Sequence, residues 1–249
     1  MNNWLLRLPS RHPARMRLYI FPHAGGSPAS FLPWQELLAP AIELAAIHLP
    51  GRGARFHEPN AQSIQEIVAP LAQELARQPL LPFAFFGHSL GALVAFELTR
   101  YLHANGAQLP LHLFVSGCHA PRYRNPSRQL HRMDDHTLLE ELRTYNGTPA
   151  ELLQSRELME IVLPIIRADF GLAERFAYQP APKLDVPMSI LAGRGDDYET
   201  PEQSEGWQEE TDGPCALHWF DGDHFFIHSE CQRVLSHVNQ TMATCLACL

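Results

Sequence analysis

The sequence predicts a mostly parallel α/β sheet with helices on both faces, and three features carry that prediction. Short apolar runs rich in strand formers alternate with stretches of helical periodicity. One of these runs ends in Gly87-His88-Ser89-Leu90-Gly91 and passes directly into an apolar helical stretch. A G-x-S-x-G turn between strand and helix holds its serine in a strained conformation, with the hydroxyl presented above the carboxyl edge of a sheet. Finally, a serine, an acid and a histidine follow one another at the ends of three different predicted strands.

Taken in order, residues 17–21 form the first predicted strand, closed by Pro22. The turn His23-Ala24-Gly25-Gly26-Ser27-Pro28 follows, then a helix over 31–38. Paired glycines at such a turn let backbone N–H groups point into the ligand-binding edge with no side chain in the way. The alternative of a phosphate loop fails, because neither G-x-G-x-x-G nor a lysine-bearing P-loop is present. Residues 43–49 read as the next strand, ending at Pro50-Gly51-Arg52-Gly53. Ser63-Ile64-Gln65-Glu66 is a capping box for a helix reaching residue 77. The strand over 80–86, the serine turn and its helix come next, followed by a strand over 111–116.

From about 120 to 182 no convincing strand appears and the pattern is helical. Thr148-Pro149-Ala150-Glu151 has the signature of a helix start, and 158–170 reads as an apolar helix kinked at Pro164. A helical insertion at the ligand-binding edge is expected to act as a lid. The sheet resumes over 186–192, and Thr200-Pro201-Glu202-Gln203 opens another capped helix. A last strand over 216–220 and a helix over 230–242 complete a single expected domain, 1–249, with the lid at about 120–182.

The formal net charge of -8 leaves no basic surplus to neutralise phosphates, so a general nucleic-acid binder is excluded. No apolar run is long enough to span a bilayer, and residues 1–16 lack the continuous apolar segment of a secretory signal. The five cysteines are odd in number and scattered, the pattern of reduced thiols in a cytoplasmic protein. Cys245-x-x-Cys248 has no partner pair and reads as two incidental thiols. His224 and His228 are four apart, but no third ligand is suggested and Phe225-Phe226 between them speaks for packing; no metal is expected.

The candidate catalytic set is Ser89, an acid at Asp196 or Asp197, and His224. A serine hydroxyl is a poor nucleophile at neutral pH, so a histidine must take its proton during attack. A carboxylate on the far ring nitrogen fixes the histidine tautomer and stabilises the imidazolium. Backbone N–H groups must meet the developing oxyanion, and those of Ala24 and Leu90 are the candidates. His88, inside the serine turn, is expected to pack beneath it.

Read together, these segments resemble the type II thioesterases associated with nonribosomal peptide and polyketide synthases, enzymes of the α/β-hydrolase fold. The resemblance rests on Phe21-Pro22-His23-Ala24-Gly25-Gly26-Ser27, Leu49-Pro50-Gly51-Arg52, the serine turn, and Gly147-Thr148-Pro149. It extends to Leu163-Pro164-Ile165-Ile166-Arg167-Ala168-Asp169-Phe170 and Gly222-Asp223-His224-Phe225-Phe226. It places the acid in a Gly-x-x-Asp turn, matching Gly193-Arg194-Gly195-Asp196, and so selects Asp196. Asp223 and Asn146 depart from the family pattern, which usually has glycine at both positions.

The resemblance implies hydrolysis of stalled or aberrant acyl and aminoacyl groups from the phosphopantetheine arm of carrier domains. The protein itself would need no cofactor and is expected to act as a monomer, in the manner of enzymes found in antibiotic or siderophore clusters. Carrier domains are usually acidic, and Arg122, Arg124, Arg128 and Arg132 form a basic stretch entering the lid that is a candidate contact for them. The alternatives are a medium-chain fatty acyl thioesterase, a carboxylesterase on oxygen esters, or a non-catalytic binding module of the same fold.

Overall fold

The computed structural model describes residues 4–9, 12–124, 128–148 and 150–248. Seven strands form one sheet: β1 (Leu5–Leu6), β2 (Met16–Phe21), β3 (Ile42–Ile47), β4 (Phe83–His88), β5 (Leu113–Ser116), β6 (Met188–Gly193) and β7 (Cys215–Phe220). Their spatial order is β1-β3-β2-β4-β5-β6-β7. Every neighbouring pair is parallel except β1 with β3. The chain therefore winds outward from β2 to β3, crosses back to β4, and proceeds to the other edge. The reversal lies between β2 and β4, and ligands of such sheets bind outside the strand carboxyl ends at that point.

Strands buried on both faces need mostly apolar residues, and β2 to β6 have them. Tyr19, Phe21, Phe85, Val115 and Ile190 face one side, where α1 (Gln65–Ala76) and α2 (Leu90–Ala104) contribute Ile67, Leu71, Leu93 and Phe96. Leu18, Ile20, Phe86, Phe114 and Leu191 face the other, against Phe31, Trp34 and the Val234, Leu235 and Val238 stripe of α8 (Cys231–Ala247). Between β5 and β6 lie α3 (Asp135–Tyr145), α4 (Ala150–Gln154) and α5 (Arg156–Arg175). Leu130, Leu138, Leu142, Met159, Leu163 and Ile166 give this insertion a small core of its own. The short helices α6 (Pro201–Glu205) and α7 (Phe226–Ser229) follow β6 and β7.

Several local expectations change in the folded chain. The stretch expected as a helix over 31–38 is a 3-10 segment, Pro28–Glu36. Pro33 inside it has no N–H to donate, and its ring opposes the carbonyl four residues back. Strand β4 begins at Phe83, because Pro82 precedes it and Leu80 is almost fully exposed. Ser63 Oγ accepts from Glu66 N at 3.3 Å, but Glu66 returns its carboxylate to Gln62 N, one residue earlier than the capping box requires. Both capping-box bonds form at Thr200 and Gln203. Helix α5 runs through Pro164 to Arg175 and starts on Ser155, whose side chain accepts from Leu158 N. Pro149, assigned to a helix start, lies outside the described residues. Strand β1, only two residues long, has no periodicity from which it could be read; its pairing with β3 makes it a strand.

Candidate active site

Ser89 stands between β4 and α2 with φ 55 and ψ −119, a left-handed conformation that side chains rarely adopt. The turn is held from both sides: Ser89 N donates to Ser116 O at the end of β5, and α2 packs on the end of β2. That approach is so close that a Cβ on Gly91 would meet Phe21 O at 2.0 Å, which explains the glycine. His88 is fully buried and bonds Ser116 Oγ through Nδ1 at 3.0 Å, so it packs beneath the turn as expected. Burial holds its pKa well below the ordinary histidine value, with His224, His23 and His228 adding to the effect.

His224 follows β7, and its Nδ1 lies 2.7 Å from Asp196 Oδ2 in the turn after β6. The other oxygen of Asp196 accepts from Tyr198 N at 2.9 Å, fixing the carboxylate in its loop. Asp197, the other candidate acid, is exposed. His224 Nε2 is buried and has no hydrogen-bond partner among the described residues. His224 lines a cavity of about 250 Å³ together with Ser89, Ala24 and Leu90. Leu90 is the first residue of α2, where backbone N–H groups have no partner within the helix. Larger grooves of about 430 and 620 Å³ lie elsewhere, one along α1 and α2 and one on the insertion, and neither contains any of these residues.

The insertion reaches the site through aromatic rings. Tyr145, at the end of α3, stacks on Tyr198 with centroids 4.1 Å apart, and both meet the His224 ring edge to face. Burial pushes the Tyr145 hydroxyl up to about 12, so it stays protonated. Asn146 Nδ2 donates to Asp223 Oδ2 at 2.9 Å, while Asp223 Oδ1 accepts from Phe225 N at 2.8 Å. The two departures from the family pattern thus bond to each other, and the Asp223 carboxylate is engaged there.

Sequence reasoning assigned no role to Arg52 or Asp169, yet they form the most deeply buried charge pair beside the site. Asp169 on α5 accepts from Arg52 Nη1 at 2.7 Å and Nη2 at 2.6 Å, and from Gly25 N at 2.7 Å. Gly25 has φ +71, and a Cβ there would meet Ile166 of the same helix at 2.6 Å. Helix α5 is therefore clamped onto the loop that carries Ala24. A signal was available: Asp169 lies three and four residues after Ile166 and Ile165, on the apolar stripe of α5, where a charge demands a partner.

The arginines of the basic stretch entering the insertion take separate partners within the chain. Arg122 pairs with Glu209 and Glu210, and Arg128 pairs with Glu141 while lying over the Tyr198 and Tyr145 rings. Arg132 bonds Gln129. Arg124 turns inward and lines the Ser89 cavity. His228 stacks on Phe225, and among the described residues no group of three or more histidine, cysteine or acidic side chains is placed to hold a metal ion. Among the same residues no helix is long and apolar enough to cross a membrane.

The thioesterase-domain family matches residues 16–242. A protein of Brevibacillus parabrevis named linear gramicidin dehydrogenase LgrE is 37% identical over 98% of this chain and 94% of its own length. The nucleotide-binding glycine fingerprint of such enzymes is absent here. Among solved structures, the type II thioesterase BorB from the borrelidin cluster is 36% identical, covers 98% of this chain and 97% of its own, and has a TM-score of 0.88. YbtT, a type II thioesterase from the yersiniabactin NRPS/PKS pathway, is 32% identical over 98% and 99%, with a TM-score of 0.86. With these likenesses over nearly its whole length, this chain belongs to the thioesterase family of the α/β-hydrolase fold: it is a hydrolase of thioesters and a relative of the type II thioesterases of NRPS and PKS clusters.

Proposed function

We propose that the protein releases stalled or aberrant acyl groups from the phosphopantetheine arm of synthase carrier domains, using Ser89 as nucleophile, His224 as base and Asp196 as its orienting acid. The observation that carries this reading is the state of His224. One ring nitrogen is held by a buried carboxylate at 2.7 Å, the other has no hydrogen-bond partner among the described residues, and His224 lines the same cavity as Ser89. Ser89 Oγ attacks the thioester carbonyl as His224 Nε2 takes its proton, and the Ala24 and Leu90 N–H groups receive the oxyanion. Collapse breaks the C–S bond, and His224 returns the proton to the departing thiol. A water deprotonated by His224 then cleaves the acyl-enzyme and frees Ser89.

The insertion serves as the lid, with Tyr145 and Phe170 walling the acyl cavity. The carrier domain and its arm are inferred from the relatives' pathways, and the editing role from the likeness to type II thioesterases of NRPS and PKS clusters. Carrier domains loaded with a panel of acyl groups, assayed against the wild type and Ser89→Ala, test the proposal. The variant is expected to lose about 10⁴-fold or more in kcat. Equal turnover by both proteins overturns the mechanism, and activity on free esters alone overturns the substrate.

A further inference from the structure

A histidine that works as a base needs its ring plane fixed as well as one nitrogen, because a single hydrogen bond leaves the ring free to swing about it. The Asp196 carboxylate fixes Nδ1 of His224 at 2.7 Å. The plane of the ring is set by its neighbours. His88 and Phe225 pack against it with centroids 5.2 Å away, and Tyr198 and Tyr145 meet it edge to face at 5.8 and 5.6 Å. His88 ends β4, while Tyr198 and Phe225 follow β6 and β7. Among these rings Tyr145 alone comes from the insertion, where it is the last residue of α3. Its contact with Tyr198 is a defined seat: the rings are within 6° of parallel with centroids 4.1 Å apart, too close for water between them. Tyr198 is itself tied down, since its backbone N–H donates to Asp196 Oδ1 at 2.9 Å. Arg128 holds its guanidinium over both rings, 4.9 Å from the Tyr198 centroid and 5.4 Å from that of Tyr145. Its ion pair with Glu141 joins it to α3 one turn before Tyr145.

We propose that Tyr145 is a positioning residue for His224, delivered by the insertion, so that the base is fully set only while the insertion is seated on Tyr198; the inference rests on the catalytic reading above. Withdrawing the insertion to admit substrate separates the stacked rings and removes one of the contacts that fix the His224 plane. Reseating it restores the ring to the orientation in which it can take the Ser89 proton. The serine is then activated in the closed cavity and left idle in the open one. Asn146, the next residue, bonds Asp223 beside His224, so the insertion grips the histidine loop at two successive positions. A lid that only covered the cavity would behave oppositely toward a small reagent. A cover slows access to Ser89, whereas a positioning ring speeds the reaction of Ser89.

Labelling by an alkyl fluorophosphonate reads that difference, because Ser89 Oγ displaces fluoride from phosphorus as His224 takes the serine proton, with no carrier or arm involved. In Tyr145→Ala the second-order labelling rate is expected to fall about tenfold or more, and kcat on acetyl-pantetheine by a similar factor with KM changed less than about threefold. Tyr145→Phe keeps the ring and is expected to recover most of the lost rate. Tyr198→Leu removes the seat from the other side and is expected to slow labelling comparably. Labelling run to completion counts the competent sites, so each rate constant refers to folded enzyme. An unchanged or faster rate in Tyr145→Ala overturns the positioning role, as does a loss confined to KM or a Tyr145→Phe variant as slow as Tyr145→Ala. Ser89→Ala run in parallel separates the two readings. If it stays unlabelled while Tyr145→Ala labels at the wild-type rate, the positioning role alone falls; if it labels like the wild type, the catalytic reading falls.

Discussion

Two sets of buried charge flank Ser89, and they are finished differently. On the side of β2, the Asp169 carboxylate receives three donors, two from Arg52 and one from Gly25. On the side of β6, Arg124 and Glu199 line the cavity and bond neighbouring groups, yet each has one buried atom with no partner among the described residues. Burying a charge is expensive in both places, but only in the first do partners within the chain offset most of the cost. The first set works as a clamp that seats α5 on the oxyanion loop. The second leaves part of that cost uncompensated within the described chain. Counting partners atom by atom thus separates charges that clamp the fold from charges whose burial is only partly compensated.

Breaking the clamp is expected to have the largest effect. Asp169→Ala leaves Arg52 buried and unpaired and should cost about 3–5 kcal/mol of stability, read as a shift of the urea midpoint. Asp169→Asn keeps the shape, should cost less, and should lower kcat more than it raises KM, because it loosens Gly25 beside the Ala24 N–H. A midpoint unchanged in both variants would show that the clamp is idle.

The β6 side makes a pH-dependent contribution of the opposite character. Burial raises Glu199 above its unfolded value, from 4.5 to about 7, so the folded state binds its proton more tightly. The associated stability is fully present below about pH 4.5 and is lost as pH rises through about 7. Relative to Glu199→Gln, the wild type should therefore lose of order 2 kcal/mol between pH 4.5 and pH 8, measured by urea unfolding at the two pH values. Parallel pH profiles for the two proteins would argue that Glu199 is not desolvated. The smallest effect is expected at the tie between insertion and histidine loop. Asn146 has φ 55, so Asn146→Gly keeps the backbone and deletes only the bond to Asp223. It should cost no more than about 1 kcal/mol in unfolding free energy, and a larger loss would mean the tie carries more than one hydrogen bond.

Much of this was legible in the chain. The strands β2 to β6 announced themselves because strands buried on both faces are largely apolar runs with turn residues after them. The serine turn was legible because Gly91 must be a glycine where α2 meets β2. Asp196 was separated from Asp197 by resemblance alone, since the two neighbours differ in nothing a sequence displays. In the fold they differ completely: one meets His224 and the other is exposed. The 3-10 segment at Pro28–Glu36 was misread as a helix because its apolar spacing outweighed Pro33 in the reading but not in the hydrogen bonding. The basic stretch at 122–132 was read as one cluster; in the fold Arg124 and Arg128 line the Ser89 cavity, while Arg122 pairs with Glu209 and Arg132 bonds Gln129.

By itself, then, the sequence determined the elements, their parallel order and the succession of serine, acid and histidine at strand ends, because periodicity and turn chemistry act over a few residues. Only the tertiary structure decided which charges meet. Arg52 and Asp169 are 117 residues apart, and Asp196 and His224 are 28 apart. A carboxylate becomes a clamp or an orienting acid only when the sheet and the insertion bring a donor within about 3 Å of it and remove the water that would otherwise serve as its partner.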